Sequence, residues 1–381
     1  MIDAADGRLP YPVWLATGAL DRLGAVAHEA APAHRYAVVT DAGVAPHHLP
    51  RALAALAGAG AAADPLVVEI PAGEQHKTRA WWAAVTDRLL DAGCGRDTTI
   101  VALGGGVVGD LAGFVAATFL RGVPVLQVPT TLLAMVDASV GGKTGVDTPA
   151  GKNLVGAFHP PRAVLIDPAV LATLPLAELR AGAAEVVKHG VIADADYLGA
   201  VELLLPGVLV PDREGGDARA APAPGPADIL GRVVARSVAI KAAVVAADER
   251  EGGMRRILNF GHTIGHAVEQ VSGYALRHGE AVAIGMALEA RAAELAGVAR
   301  PGVAARVEQV LRALGLPVRR PVELAAESVL AATRGDKKAR GGQVEYALPT
   351  DVGEMAAAGG RWSVPLDDAV VRAVLALPAA G

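Results

Sequence analysis

The sequence contains little cysteine, few aromatic residues and no long apolar segment. Its 381 residues include one cysteine, Cys94, and aromatic side chains make up 3% of the chain. A lone cysteine excludes an intrachain disulfide, so we expect a reducing, cytoplasmic environment and a structural thiol at Cys94. The longest uncharged run, 122–136, is too short to span a membrane and is interrupted by prolines.

The charge of the chain is also weak. The formal net charge of -5 is spread along the sequence without a basic stripe, which argues against nucleic acid as a partner. The first residues include acids where a secretory signal would carry lysine or arginine, so we expect no such signal. Because 52% of the residues are hydrophobic, the chain can bury a sizeable core, and its length predicts two domains.

Strand-like and helix-like segments alternate over roughly the first 170 residues. The run TTIVALGGG (98–106) is continuously apolar, as in a parallel strand buried on both faces, and a helix is predicted over 108–120. Further strand-like runs are 35–44, 65–78, 123–131 and 162–175. This alternation predicts a doubly wound α/β domain over 1–174.

Helical periodicity dominates after residue 174. The predicted helices are 176–205, 226–247, 262–271, 279–297, 302–314 and 366–377. The second domain, 175–381, is therefore predicted to be all-helical. The segment 211–228, rich in proline, glycine and alanine, is predicted to be a surface loop between helices.

A glycine-rich turn follows the predicted strand at 98–106. In LGGGVVGD (103–110), Gly104, Gly106 and Gly109 give the pattern G-x-G-x-x-G at the start of a helix, where backbone N–H groups can bind a pyrophosphate. The acidic residue usually found about 20 positions later is missing. A turn that only allows close strand–helix packing is the alternative.

A second glycine-rich segment contains two lysines. GGKTGVDTPAGKNLVG (141–156) fails the nucleotide P-loop pattern because Asp137 stands where that pattern needs glycine. What remains is Lys143, Lys152 and Asn153, which could close on an anionic substrate. The alternative is a flexible loop with solvated lysines.

Three histidines lie close together in RRILNFGHTIGHAVEQVSGYALRHGE (255–280). His262 and His266 are four residues apart and share a helix face, but Thr263 replaces the glutamate that zinc proteases use as a general base. The spacing favours His262 and His266 as a metal-ligand pair, with His278 as a third donor. The acids nearby are Glu269 and Glu280. A hydrogen-bonded pair of core histidines is the alternative.

A set of segments in fixed order resembles the 3-dehydroquinate synthase family, within the wider group of sugar-phosphate cyclases. The segments are GRDTTIVALGGGVVGDLAGF, RGVPVLQVPTTLLAMVDASVGGKTGVDTPAGKNLVGAFHPP, AEVVKHG, KAAVVAADEREGGMRRILNFGHTIGHAVE, LRHGEAVAIGM and GDKKARGG. The resemblance extends over about 35–350. It implies a Rossmann-like NAD-binding α/β domain, a helical domain, an active site in the cleft between them and a homodimer. It also implies two cofactors, NAD and one divalent metal ion, Zn²⁺ or Co²⁺.

The resemblance further implies a reaction. The family converts 3-deoxy-D-arabino-heptulosonate 7-phosphate into 3-dehydroquinate and phosphate, in the shikimate pathway to aromatic amino acids. Transient oxidation by NAD, phosphate elimination, re-reduction and intramolecular aldol closure are implied in that order. The alternatives are a cyclase acting on sedoheptulose 7-phosphate or on an amino analogue, a metal-dependent polyol dehydrogenase and a non-catalytic paralogue. Arg255 before ILNFGHTIGH resembles the type that binds a carboxylated substrate.

Site residues are implied in the same way. The implied metal ligands are Glu185, His262 and His278, so His266 moves to the substrate side and Glu185 gains a role beyond an exposed ion pair with Lys188. The implied substrate-side residues are Arg121, Asp137, Lys143, Asn153, Lys188, Lys241, Arg255, Asn259, His266 and Lys337, with Arg121 reaching a neighbouring subunit. The implied NAD contacts are Gly73, Glu74, Lys77, Gly106, Val107, Val108, Gly109, Asp110, Thr130, Thr131, Lys143, Lys152 and Thr173. Ala72 departs from the family, which often has aspartate there.

Overall fold

The computed structural model describes residues 1–210, 225–334, 344–357 and 359–378, which form two compact units. Met1–Pro175 and Gly225–Ala243 make up the first unit, and the other described residues make up the second. Gly225–Ala243, which the sequence reading assigns to the second domain, is thus grouped with the first 175 residues. Within the described ranges, no helix has the length and apolar character needed to cross a membrane.

The first unit is built on a seven-stranded sheet and a separate hairpin. The strands are β1 (Ile2–Asp3), β2 (Val13–Leu15), β3 (Arg35–Asp41), β4 (Leu66–Ile70), β5 (Thr98–Gly104), β6 (Val125–Pro129), β7 (Lys143–Thr148), β8 (Gly151–Phe158) and β9 (Ala163–Ile166). The sheet order is β1-β2-β9-β6-β5-β3-β4, with β1 antiparallel and the other strands parallel. Every residue of β5 is buried, as expected for a central strand covered on both faces.

Helices pack on this sheet in the predicted alternation. They are α1 (Leu23–Ala30), α2 (Ala45–Leu56), α3 (Arg79–Asp91) and α4 (Gly106–Thr118). Helix α4 begins directly after β5 and buries Leu111 and Val115 against Ile100, Val125 and Val146. The α/β architecture predicted from the sequence is confirmed.

The hairpin β7–β8 was not predicted, because 141–156 was interpreted as a loop. Its register pairs Lys143 with Phe158 and Thr148 with Gly151. The strands approach so closely that a Cβ at Gly156 would lie 2.1 Å from the carbonyl oxygen of Thr144. Glycines that permit this contact also remove the alternating side-chain pattern by which a strand is recognised.

The second unit is mainly helical, and two short strand pairs correct the expectation that it is all-helical. Its helices are α5 (Leu176–Ala193), α6 (Ala195–Leu204), α7 (Pro206–Leu209), α8 (Pro226–Ala247), α9 (His262–Val271), α10 (His278–Leu295), α11 (Val303–Ala313), α12 (Ala326–Thr333) and α13 (Asp368–Leu375). Helix α8 is divided between the units, because its residues up to Ala243 belong to the first. The strands are β10 (Glu345–Tyr346), β11 (Pro349–Asp351), β12 (Glu354–Met355) and β13 (Val364–Pro365), paired as β10–β13 and β11–β12. Strands of two or three residues show no periodicity, so no pattern in the sequence predicts them.

Two further expectations concern segments of the second half. The predicted helix 176–205 is interrupted at Asp194, whose side chain caps α6 by accepting a hydrogen bond from the Tyr197 N–H at 2.9 Å. The predicted loop 211–228 lies mostly outside the described residues, and α8 begins at Pro226.

Candidate metal and cofactor site

Three side chains from separate helices of the second unit meet at one point. Oε1 of Glu185, on α5, lies 3.4 Å from Nε2 of His262 and 3.5 Å from Nε2 of His278, the first residues of α9 and α10. A tetrahedral Zn²⁺ with bonds of about 2.0–2.1 Å has ligand atoms about 3.3–3.4 Å apart. Both distances from Oε1 are therefore close to those of a tetrahedral site, and the three residues offer donor atoms that all lie within 4.8 Å of one another.

Glycine contacts between helices bring these donors together. A Cβ at Gly279 would lie 1.9 Å from the carbonyl oxygen of Ala181, so α10 touches the backbone of α5 one turn before Glu185. A Cβ at Gly285 would lie 1.9 Å from the carbonyl oxygen of Gly261, at the start of α9. Helix α10 thus contacts both partner helices where only glycine fits.

A buried carboxylate fixes the first turn of α9. Glu289, on α10, accepts hydrogen bonds from the N–H groups of Gly261 at 2.7 Å and Ile264 at 2.9 Å. Helix α9 has no side-chain cap of its own, and Gly261 adopts a left-handed φ of 79°. Glu289 replaces the missing cap, and its negative charge interacts favourably with the positive end of the helix dipole. Both effects hold the first turn of α9, and with it His262, in place.

The electrostatics at the three donors are those of a cation site. Burial alone would raise the pKa of Glu185, but Lys188 and His262 hold it well below its usual range. Burial lowers the pKa of His262 to about 4, whereas carboxylates outweigh burial at His278 and raise its pKa to about 9. Oε1 of the fully buried Glu185 receives no hydrogen bond from the described residues, and such an oxygen calls for a positive partner.

His266 lies one turn along α9 from His262, with ring centroids 5.3 Å apart. Among the described residues, the two groups of three donors close enough to hold an ion are Glu185–His262–His278 and His266–Glu269–His278. Neither group contains the pair that the local spacing favours. Glu280, also considered near this site, instead accepts a hydrogen bond from the backbone at the N-terminus of α10 at 3.0 Å.

Other predicted site residues of the second unit each contact a nearby carboxylate or carbonyl oxygen. Lys188 is 1% exposed and forms an ion pair with Oε2 of Glu185, which corrects the alternative of an exposed salt bridge. Arg255 is 2% exposed and donates a hydrogen bond to the carbonyl oxygen of Glu249. Nδ2 of Asn259 donates to Oε1 of Glu251 at 2.7 Å. Lys337 lies outside the described residues.

Asp248 organises the segment that carries Arg255 and was missed by sequence reasoning. Its carboxylate accepts hydrogen bonds from the N–H groups of Gly252, Gly253 and Arg255 at 2.7–3.0 Å. These bonds outweigh burial and lower the pKa of Asp248. An aspartate four residues before a glycine pair is the available sequence signal, because such side chains bond the backbone of turns.

The remaining substrate-side residues lie in the first unit. Nζ of Lys241, on α8, is 2.6 Å from both Oδ1 and the carbonyl oxygen of Asp137, which sits in a single π-helical turn. Lys143 is exposed at the start of β7. Asn153 has a left-handed φ of 52°, and its N–H donates to Oδ1 of Asp147 at 2.8 Å.

The predicted NAD contacts cluster around the N-terminus of α4. Lys77 is buried beside Asp110, with Nζ 2.5 Å from Oδ2, and although burial opposes it, the carboxylates of Asp110 and Glu74 raise the Lys77 pKa above its usual range. Lys152 lies 3.3 Å from Glu74. The residues Gly106–Asp110 form the first turn of α4, which lacks a side-chain cap, so its N–H groups suit a phosphate.

Three threonines complete this set. Oγ1 of Thr130 is buried and receives no hydrogen bond from the described residues, so it fits a polar ligand group. Thr131 accepts from the Ala134 N–H at 3.1 Å. Oγ1 of Thr173 lies 2.9 Å from Nε2 of the buried His48, a contact that sequence reasoning missed because 125 residues separate the partners.

Besides Asn153, two predicted residues stand in backbone conformations with positive φ. Gly73 has φ 113°, and Arg121, which is exposed, has φ 70°. The described site residues therefore fall into two sets. The metal donors, Lys188, Arg255, Asn259 and His266 belong to the second unit, and the others belong to the first.

Two solved structures share this fold over nearly their whole length. The 2-epi-5-epi-valiolone synthase of Streptomyces hygroscopicus, with NAD⁺ and Zn²⁺ bound, is 30% identical with a TM-score of 0.81, and 96% of each chain is covered. A 2-deoxy-scyllo-inosose synthase in complex with carbaglucose-6-phosphate, NAD⁺ and Co²⁺ is 26% identical with a TM-score of 0.78, over 93% of this chain and 94% of that one. Fold and donor set together define the class of the sugar-phosphate cyclases.

Sequence comparisons identify the group within that class. Models of the 3-dehydroquinate synthase N-terminal and C-terminal regions match residues 67–181 and 182–339. The 3-dehydroquinate synthase of Geobacter metallireducens is 47% identical over 348 residues, covering 91% of this chain and 92% of that protein. The chain belongs to the 3-dehydroquinate synthase family.

Proposed function

We propose that the protein is a carbon–oxygen lyase that converts 3-deoxy-D-arabino-heptulosonate 7-phosphate into 3-dehydroquinate and phosphate, a step of the shikimate pathway. The identity of 47% to a 3-dehydroquinate synthase over nine-tenths of the chain supports this activity. The structural observation that carries it is the meeting of Glu185, His262 and His278 at the spacing of a tetrahedral ion.

Two cofactors belong to the proposal. One Zn²⁺ or Co²⁺ would be held by Glu185, His262 and His278, and would lower the pKa of the substrate alcohol that is oxidised. NAD would be held at the N-terminus of α4, with Lys77, Lys152 and Thr130 nearby, and would supply reversible hydride transfer. Related solved structures contain NAD⁺ with Zn²⁺ or Co²⁺.

The histidines near the cation have different tasks. The Nε2 atoms of His262 and His278 face Glu185. His266 lies one turn away from His262 on α9. An imidazole outside the donor set can accept and return a proton at neutral pH, so we assign proton transfer to His266.

Cationic side chains account for the two anionic groups of the substrate. Arg255 presents a planar fork that suits the carboxylate, and the Asp248 segment holds its backbone. Removing one such contact costs about 2–5 kcal/mol, so Arg255→Ala should lower kcat/KM roughly 30- to several thousand-fold. The residues proposed for the phosphate are Lys143, Asn153, Lys188, Lys337 and Arg121 from a second copy. With Arg121 in that role, we propose a homodimer. We also propose a cytoplasmic location, the environment expected from the lone cysteine.

A phosphate-release assay with absorbance at 340 nm tests the proposal. We expect phosphate from the heptulosonate phosphate without net NADH, and loss of release on chelation. Glu185→Gln should abolish it because the cation loses its carboxylate donor, and Glu29→Gln, an exposed carboxylate on α1, should leave it unchanged.

The alternatives predict different outcomes in this assay. Net NADH build-up would identify a polyol dehydrogenase. Turnover of sedoheptulose 7-phosphate, or of the amino analogue, at equal or better efficiency would exclude the carboxylated heptulosonate as the preferred substrate. Full turnover after verified removal of the metal ion would refute the role given to Glu185, His262 and His278.

A further inference from the structure

The ring of His278 lies between two buried carboxylates. Its Nε2 is 3.5 Å from Oε1 of Glu185, and its Nδ1 is 3.5 Å from Oε2 of Glu269. The Glu269 side chain is 4% exposed and comes from α9, so the contact joins two helices. We infer that Glu269 is a positioning residue for the metal site of the proposed function, on which this inference rests: it orients His278 and fixes its tautomer.

The proton count on the ring gives the reason. A neutral imidazole carries one N–H, and the nitrogen that binds a cation must be the other one. Because Nε2 of His278 faces Glu185, the N–H belongs on Nδ1, where Glu269 can accept it. Outer carboxylates of this kind orient ligand histidines and strengthen them as donors.

His262 shows the same arrangement with a different acceptor. Its Nδ1 is 3.1 Å from the carbonyl oxygen of Phe260, which can only accept, so Nδ1 carries the proton. Nε2 is then bare and faces Oε1 of Glu185. Both ligand rings therefore present Nε2, one fixed by the backbone and the other by Glu269.

The position of Glu269 is as well fixed as that of His262. The two residues are seven apart on α9, hence on one face, and Glu289 holds the first turn of that helix. Around Glu269, Ile264 and Val268 pack into the core of the second unit with Ile284. Because Glu269 is held in place independently of His278, it can restrain the orientation of the His278 ring.

A competing arrangement uses the same residues differently. His266, Glu269 and His278 are themselves close enough to hold an ion, with donor atoms within 4.8 Å of one another. That arrangement would use Glu269 as a direct ligand and leave Oε1 of the buried Glu185 without its cation. The desolvated oxygen of Glu185 favours the ion on its own side of His278.

Metal affinity tests the inference without using turnover. Co²⁺ would be titrated into metal-stripped wild type, Glu269→Ala, Glu269→Gln and Gln270→Ala, with its dissociation constant measured by chelator competition. We expect a loss of about 10–100-fold for Glu269→Ala. Glu269→Gln keeps an oxygen acceptor but loses the charge, so its loss should be smaller. The exposed neighbour Gln270 is the matched control and should have no effect.

The Co²⁺ absorption spectrum separates positioning from direct ligation. If Glu269 acts through His278, Glu269→Gln should keep the intense visible bands of a four-coordinate ion, whereas Glu185→Gln should lose them. Unchanged affinity in both Glu269 variants, or a spectrum that depends on Glu269 and not on Glu185, would overturn the inference. If Glu269→Ala fails to fold by circular dichroism, Glu269→Gln decides alone.

The outcomes also separate this inference from the proposed function. Glu269-dependent Co²⁺ binding in a protein that releases no phosphate would refute the function and leave the positioning role intact. Phosphate release by a protein whose metal affinity does not depend on Glu269 would refute the positioning role and leave the proposed function intact.

Discussion

His262 and His278 hold different numbers of protons when no cation is bound. The pKa of His262 is about 4, so its ring is neutral across the physiological range. The pKa of His278 is about 9, because the neighbouring carboxylates of Glu185 and Glu269 outweigh burial. A cation arriving at neutral pH therefore displaces one proton, and that proton comes from His278.

This difference predicts how metal affinity depends on pH. Below about pH 9 one proton must leave His278, so the apparent Co²⁺ affinity should rise about tenfold per pH unit between about pH 6 and 9. Above about pH 9 the rise should stop, and His262 should add nothing because it is already neutral. Chelator competition at several pH values measures this, and a flat profile would contradict it.

Residue spacing predicted the types of side chain at the site but not their partners, and only the family resemblance implied the group Glu185, His262 and His278. The spacing of His262 and His266 favoured them as a pair because i,i+4 contacts are the ones visible along a helix. The observed cluster joins Glu185 to His278 across 93 positions, and periodicity carries no such information. Lys188 and Glu185 also fit an exposed i,i+3 pair, and only tertiary packing buries them.

At the scale of elements, glycine contacts in α10 decide where the ligands stand. Gly279 meets the backbone of α5 at Ala181, and Gly285 meets that of α9 at Gly261. In the sequence Gly279 is the first residue of the predicted helix 279–297 and Gly285 lies inside it, where glycine lowers the helix propensity. Their function becomes clear only when the neighbouring backbones are known.

Enlarging one of these glycines should separate the donors. In Gly279→Ala the new methyl group would overlap Ala181, so we expect about 1–3 kcal/mol of destabilisation and weaker Co²⁺ binding. The matched control is Gly199→Ala in α6, where a Cβ meets nothing within 4 Å and helix propensity predicts about 0.5–1 kcal/mol of stabilisation. Urea unfolding measures both, and equal effects would contradict the role of Gly279.

Strands and helices were predicted to different degrees for physical reasons. Buried parallel strands such as β5 are continuous apolar runs, and α9 has clear helical periodicity. The hairpin β7–β8 was missed because glycines and exposed residues occupy its strands. Helix α12 was missed as well, because its alanine-rich sequence AESVLAAT has little contrast between polar and apolar faces, unlike the equally short α13.

At the scale of the whole molecule, each of the two units has a buried core among the described residues. Val39, Ile100 and Leu111 belong to the core of the first unit, and Ile264 and Ile284 to that of the second. The three metal donors lie in the second unit alone. Because multidomain proteins often depart from two-state unfolding, we expect a single unfolding temperature to describe this protein poorly.

A bound cation should stabilise the unit that holds its donors. Co²⁺ at 100 times its dissociation constant contributes about 2.7 kcal/mol, which corresponds to roughly 100-fold slower amide exchange through complete opening. We expect this slowing in α5, α9 and α10, and a smaller one in β5. Exchange measured by mass spectrometry would show it, with Glu185→Gln as the control that should not respond. Equal slowing in wild type and that variant would argue against the assigned donors.

The discontinuous first unit has a consequence for synthesis on the ribosome. This unit includes Gly225–Ala243, so its last helix emerges only after residues 176–224 have been made. At about 5–20 residues per second, the roughly 70 residues beyond Pro175 take about 3–14 s to add. During that interval the nascent sheet lacks the segment that carries Lys241, and a fragment ending at Pro175 would lack it permanently.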